Sequence, residues 1–154
     1  LARMRYWVGV EEEQLFKSVR PASVNLIMKK IFQGYSEDQM DNFLALHPKQ
    51  YAVGRLKKIF SDPMDLGVVE KSKKALRRAF ETMNDELKDQ PWLAGDSYSL
   101  ADIAASPVID RVEVLDLTDV WQGLDALLDW INRLTKRPAY QRAKPKERML
   151  DVLN

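Results

Sequence analysis

The side chains of this 154-residue chain that could do chemistry are hydroxyls and carboxylates, because it has one histidine and no cysteine. No thiolate nucleophile, thiolate metal site or disulfide can form within the chain, and one histidine excludes a site with several histidine ligands. Ser99 and Asp102 are the most conspicuous pair. Their spacing is typical of a capping box, in which a helix-starting serine and the acid three residues later bond each other's backbone N–H groups. We therefore predict a structural role for this pair and no catalytic residue in the chain.

Glu11 is a second candidate, because it interrupts the apolar stripe of the first predicted helix. It lies four residues after Trp7 and four before Leu15, and burying a carboxylate without a partner is costly. Two interpretations stay open: Glu11 turns to solvent or pairs within the domain, or it faces a binding cleft. The neighbouring glutamates at 12 and 13 cannot face the same way on a helix. The sequence therefore predicts no metal site here.

The composition predicts one soluble globular domain over residues 1–154, with 45% hydrophobic and 31% charged residues. The net charge of +1 gives no general attraction for nucleic acid or an anionic membrane, so neither is a predicted partner. No apolar run approaches the ~20 residues that span a bilayer. No signal peptide opens the sequence, which favours a cytoplasmic location. The first residue is Leu1 rather than methionine, so we expect a piece of a longer protein.

Apolar residues at helical spacing predict an all-α fold of seven to nine helices. The first should span Leu1–Val19 and stop at Pro21, because the residue before a proline avoids helical geometry. The other predicted helices are Pro21–Phe32, two short helices near residues 37–44 and 51–60, Val69–Leu87, a helix from Ser99 to about Leu115, residues 124–134 and Lys146–Leu153. The run from Ser61 to Pro63 is interpreted as the start of the Val69 helix. The helix after Ser99 should be the most buried, because residues 100–109 carry almost no charge.

Several landmarks resemble the C-terminal helical domain of cytosolic glutathione transferases. They are the stretch Pro91–Ile103 with its capping box, Pro107 four residues later, Trp130 followed by Arg137-Pro138-Ala139, and the opening Arg3–Trp7. The resemblance covers nearly the whole chain in the expected order. The long segment between Gln33 and Val69 looks most like bacterial β-aryl-etherase-type and fungal prion-related transferases.

The resemblance implies a helical bundle around a buried central helix, preceded in the family by a thioredoxin-like domain that is absent here. That domain supplies the glutathione site and the catalytic Ser, Tyr or Cys. This chain would then be the substrate-binding and dimerisation half of an enzyme that transfers glutathione to hydrophobic electrophiles, a detoxification chemistry. The implied pocket residues are Tyr6, Val10, Glu11 and Gln14.

The same resemblance makes glutathione a co-substrate of the parent enzyme, with no cofactor bound by this chain alone. It implies a homodimer, and an isolated chain without activity. Similar helical domains also occur in translation-factor and synthetase complexes. A noncatalytic protein-interaction module is therefore the alternative.

Overall fold

The computed structural model describes residues 1–144, and these residues are largely helical. Apart from one isolated bridge between Trp92 and Gly95, they form no strand. The helix predicted for Lys146–Leu153 lies outside the described residues. The helices are α1 (Ala2–Val10), α2 (Lys17–Ser23), α3 (Lys29–Phe32), α4 (Glu37–Ala45), α5 (Val53–Ser61), α6 (Leu66–Leu87), α7 (Leu100–Val114), α8 (Asp125–Thr135) and α9 (Pro138–Ala143).

The first three helices join end to end into one run, residues 2–32, which we call the N-terminal helix. The prediction that Pro21 interrupts it is wrong. Two π-turns, Glu11–Phe16 and Val24–Met28, join α1 to α2 and α2 to α3. Each π-turn holds an extra residue, and long helices absorb local irregularities at such turns. Pro21 therefore lies inside a short, seven-residue α-helical segment between the two π-turns rather than in the middle of a long regular helix.

A short helical hairpin, α4 with α5, follows and has its own small core of Phe32, Met40, Leu44 and Phe60. Ser36 and Gln39 have the three-residue spacing of a capping box, and they form one at the start of α4. Two buried polar side chains of the N-terminal helix hold the segment after the hairpin. Lys29 Nζ donates to the Pro63 carbonyl at 2.8 Å, and the Asp65 N–H donates to Asn25 Oδ1 at 3.0 Å.

The start of α6 corrects a second prediction. Ser61 is the last residue of α5, and the residue that caps α6 is Asp65, whose Oδ1 accepts from the N–H groups of Gly67 and Val68. Asp65 is the better cap because its carboxylate reaches two of the free N–H groups in the first turn. From this cap α6 runs to Leu87, in agreement with the apolar spacing.

The main core is built by α6, which packs against α2 and α8, and by α7, which packs against α1. Along α7, one face is buried through Ala101, Ala105, Val108, Ile109 and Val112. The low charge of residues 100–109 does not mean that the helix is buried all round, because Leu100 and Ile103 on its other face are 57% and 47% exposed. Within the described residues no element covers that apolar face.

Candidate functional site

The start of α7 is organised around Asp102, whose side chain is fully buried. Its Oδ2 accepts from the Ser99 N–H at 2.9 Å, and the Ser99 hydroxyl caps the N–H of Ala101. This is the predicted capping box. Its Oδ1 accepts from the Leu93 N–H at 3.0 Å and from the Trp130 indole N–H at 2.8 Å. Asp102 therefore ties the loop before α7 and helix α8 to the N-terminus of α7, which fixes the position of α7.

A cleft of about 300 Å³ opens between the N-terminal helix and α7. It is the feature best shaped to hold a small molecule, because most of its lining is apolar and a few polar groups face it. The apolar lining consists of Phe16, Val19, Met28, Pro107 and Val108. Phe16 follows the fully buried Leu15 but is itself 50% exposed. The π-turn that ends at Phe16 shifts the helical register and turns this ring towards the cleft.

Four polar side chains also line the cleft: Glu11, Arg20, Ser23 and Arg111. Burial raises the pKa of the Glu11 carboxyl above its usual 4.5, and the neighbouring charge of Glu12 adds to this shift. Among residues 1–144, neither Arg20 nor Arg111 forms a side-chain hydrogen bond or ion pair. The cleft therefore combines apolar surface with cationic groups that have no acceptor in the described chain.

The four pocket residues proposed from the sequence do not come together at this cleft. Glu11 lines it, but Val10 is buried in the main core, and Tyr6 and Gln14 are exposed on the N-terminal helix. The ring of Tyr6 packs edge-on against Trp7, 5.4 Å between centroids. A role for Tyr6, Val10 and Gln14 in substrate binding stays a prediction.

Sequence analysis missed Phe16, Arg20, Pro107 and Arg111 as cleft residues. The spacing indicates only that each arginine shares a helix face with the apolar residue four positions earlier; it does not show that the two faces meet at a cleft. Over the described part of the chain, no cluster of three or more acidic or histidine side chains could hold a metal ion. No helix among those residues is long and apolar enough to cross a membrane.

About half of the chain is similar in sequence to proteins named as an oxidoreductase, a dehalogenase and a transferase. It is 31% identical over 85 residues to the disulfide-bond oxidoreductase YfcG of Escherichia coli (strain K12), a match that covers 54% of this chain and 38% of that protein. It is 28% identical to the tetrachloro-p-hydroquinone reductive dehalogenase of Sphingobium chlorophenolicum, covering 52% of this chain and 32% of that protein. Glutathione S-transferase TCHQD of Arabidopsis thaliana is 29% identical, in a match that covers 51% of this chain and 30% of that protein. The chain thus spans about a third of the length of these relatives.

Solved structures show the same fold over almost the whole chain. The β-etherase LigF from Sphingobium sp. strain SYK-6 superposes with a TM-score of 0.75 at 18% identity, covering 98% of this chain and 61% of that one. Glutathione S-transferase III in its apo form gives a TM-score of 0.69 at 17% identity, in a superposition that covers 96% of this chain and 57% of that one. The family model described as "Glutathione S-transferase, C-terminal domain" matches residues 24–138. The chain therefore belongs to the family of glutathione S-transferase C-terminal domains.

Proposed function

We propose that this chain is the helical, substrate-binding half of a glutathione transferase-like enzyme that transfers glutathione to hydrophobic electrophiles. The observation that carries the proposal is the cleft between the N-terminal helix and α7. Its apolar lining can remove an electrophile from water and hold it in one orientation. The contribution of this half is binding rather than bond-making, because holding a reactant beside a thiolate accelerates the reaction through proximity.

The proposed partner within the same protein is a thioredoxin-like domain that binds glutathione and lowers the pKa of its thiol. The exposed apolar face of α7, around Leu100 and Ile103, supports this arrangement. Adjacent apolar side chains left open to water on a structured helix are typical of a surface that another element covers. Glutathione is then a co-substrate bound mainly by the other domain.

We further propose a homodimer that works in the cytoplasm. Symmetric dimers are the commonest homo-oligomers. In the proposed interface, which the resemblance to the family implies, the first predicted helix (Leu1–Val19) and α6 each meet the second copy near a two-fold axis. The dehalogenase relative acts on tetrachloro-p-hydroquinone according to its name. A substrate with one aromatic ring is compatible with a cleft of about 300 Å³.

The alternative, a noncatalytic interaction module of the translation-factor or synthetase type, is not favoured. The three relatives described above are named as an oxidoreductase, a dehalogenase and a transferase. The apolar cleft is also the kind of surface that a small molecule needs and that a protein-docking module does not require.

A titration with 2-naphthamide, a neutral two-ring probe, tests the cleft. We expect saturable binding to the chain, measured by calorimetry, that Phe16→Ala weakens by about tenfold, since losing part of an aromatic contact costs ~1.5 kcal/mol. Leu46→Ala is the matched control, because it shortens an 86% exposed apolar side chain near the end of α4. Equal affinities for wild type and the Phe16 variant would contradict the proposal.

A further inference from the structure

Arg111 is unusual among the charged residues of this chain. It is half-buried at the edge of the cleft, yet its guanidinium has no hydrogen-bond or ion-pair partner within residues 1–144. Other partly buried cations have partners, as Lys73 has in Asp119 at 2.7 Å and Arg77 in Glu81 at 2.8 Å. A guanidinium carries five donors in a planar fork that matches a carboxylate. A half-buried one without an acceptor is therefore suited to an acceptor from outside the chain.

The rest of the lining supports an amphipathic ligand. Pro107 lies one turn before Arg111 on α7, and Phe16 lies one turn before Arg20 on the N-terminal helix. Each of the two facing helices therefore offers apolar surface next to a guanidinium. Arg20 is exposed and belongs to the rim, whereas Arg111 is the more buried of the two.

Glu11 is the one acidic group among the lining residues. It does not neutralise the arginines, because its carboxylate forms no ion pair with a described residue. Burial also raises the pKa of its carboxyl. With two arginines against one glutamate, the lining keeps an excess of positive charge.

We propose that the cleft selects anionic amphipathic ligands, with an aromatic body packed against Phe16 and Pro107 and a carboxylate or phenolate bound by Arg111. This inference rests on the proposed function, and it adds the class of substrate. Arg111 acts here as a specificity-determining residue and takes no part in bond formation. A bidentate bond to a carboxylate fixes orientation as well as affinity, so it would also set which atom of the ligand faces the thiol.

The test compares 2-naphthoate with 2-naphthamide, which share one apolar body and differ in charge. Calorimetry on the 154-residue chain should show that naphthoate binds about tenfold more tightly, as expected for a charge-assisted bond at a partly exposed site. Arg111→Gln should weaken the binding of naphthoate much more than that of naphthamide and so remove this preference. Arg55→Gln is the matched control, because it makes the same change in net charge at an exposed position of α5.

A third variant, Arg111→Lys, keeps the charge but loses the planar fork, and should retain only part of the preference. Circular dichroism establishes that each variant is folded. If naphthoate and naphthamide bind equally to the wild type, or the preference survives Arg111→Gln, the inference is wrong while the cleft itself stands. If neither probe binds, the inference fails together with the proposed function.

Discussion

Replacing Asp102 with alanine should destabilise this domain far more than the loss of an ordinary helix cap. The substitution removes the acceptor of three N–H groups, on Ser99, Leu93 and Trp130. Leu93 and Trp130 are fully buried, so water cannot take the place of the carboxylate as acceptor for their N–H groups. A buried N–H without an acceptor costs about 1–3 kcal/mol of stability. Ser99 is partly exposed and should contribute less. We expect a loss of about 3–5 kcal/mol, against ~1 kcal/mol for a typical cap.

Urea unfolding followed by circular dichroism and tryptophan fluorescence measures this loss. With a denaturant slope of about 2 kcal/mol per molar, the midpoint of Asp102→Ala should fall by about 2 M. Ser99→Ala is the matched control, because it removes only the hydroxyl, which caps the Ala101 N–H and donates to Asp102 Oδ2 at 3.2 Å, and leaves the carboxylate with its three N–H donors. Asp102→Asn should lie between the two, since its amide oxygen can still accept from Leu93 and Trp130.

A double-mutant cycle with Trp130→Phe separates the long-range bond from the local cap. The coupling energy between Asp102 and Trp130 should exceed 0.5 kcal/mol, as for residues in one hydrogen-bond network. Two results would refute the reasoning: a midpoint for Asp102→Ala no lower than that for Ser99→Ala, or no coupling to Trp130. Either would mean that the carboxylate acts only within its own helix.

The remaining predictions concern activity, pH and assembly. The chain mixed with glutathione and an aryl halide should show no conjugation above the uncatalysed rate, because a thiol with a pKa of ~8.5 is mostly protonated at neutral pH; turnover that persists through repurification would contradict this. The pKa of the Glu11 carboxyl is raised in the folded state. The domain's free energy of unfolding should therefore fall as the pH rises from 4.5 through this raised pKa. The Glu11→Gln variant should not show this loss of stability. The difference in urea midpoint between the variant and the wild type should therefore be larger at pH 7 than at pH 4, and the same difference at both pH values would argue against a buried carboxyl. Sedimentation should reveal a weak dimer at high concentration, and a strict monomer would count against the proposed interface.

The helices that the sequence predicts well are those whose signals are local. The capping boxes at Ser36 and Ser99 and the apolar spacing of α6 depend on residues within a few positions of each other, and the structure confirms them. The π-turns around Pro21 are different. No side-chain pattern in residues 11–28 encodes an extra residue per turn, so the position of Phe16 could not be assigned from spacing alone.

The site was less predictable than the fold, for a similar reason. Spacing correctly paired Asp102 with Ser99, but Leu93 and Trp130 lie 9 and 28 residues away along the chain. Those bonds depend on how the loop and α8 pack, which a local pattern cannot show. Likewise, Arg111 resembles any surface arginine in the sequence. Its importance emerges only when the packing of the N-terminal helix against α7 encloses it in an apolar cleft.

The two separate apolar cores imply that this domain opens in two cooperative units. Phe32 stacks on Phe60 at 4.5 Å in the small core, and Ile31 contacts both cores. Because the small core has only four buried residues, the free energy that opens α4 and α5 should be lower than that of global unfolding. Amide protons of these two helices should therefore exchange with deuterium well before those of α6 and α7. Evolution could then lengthen, shorten or reshape this segment without changing the stability of the part that carries the cleft.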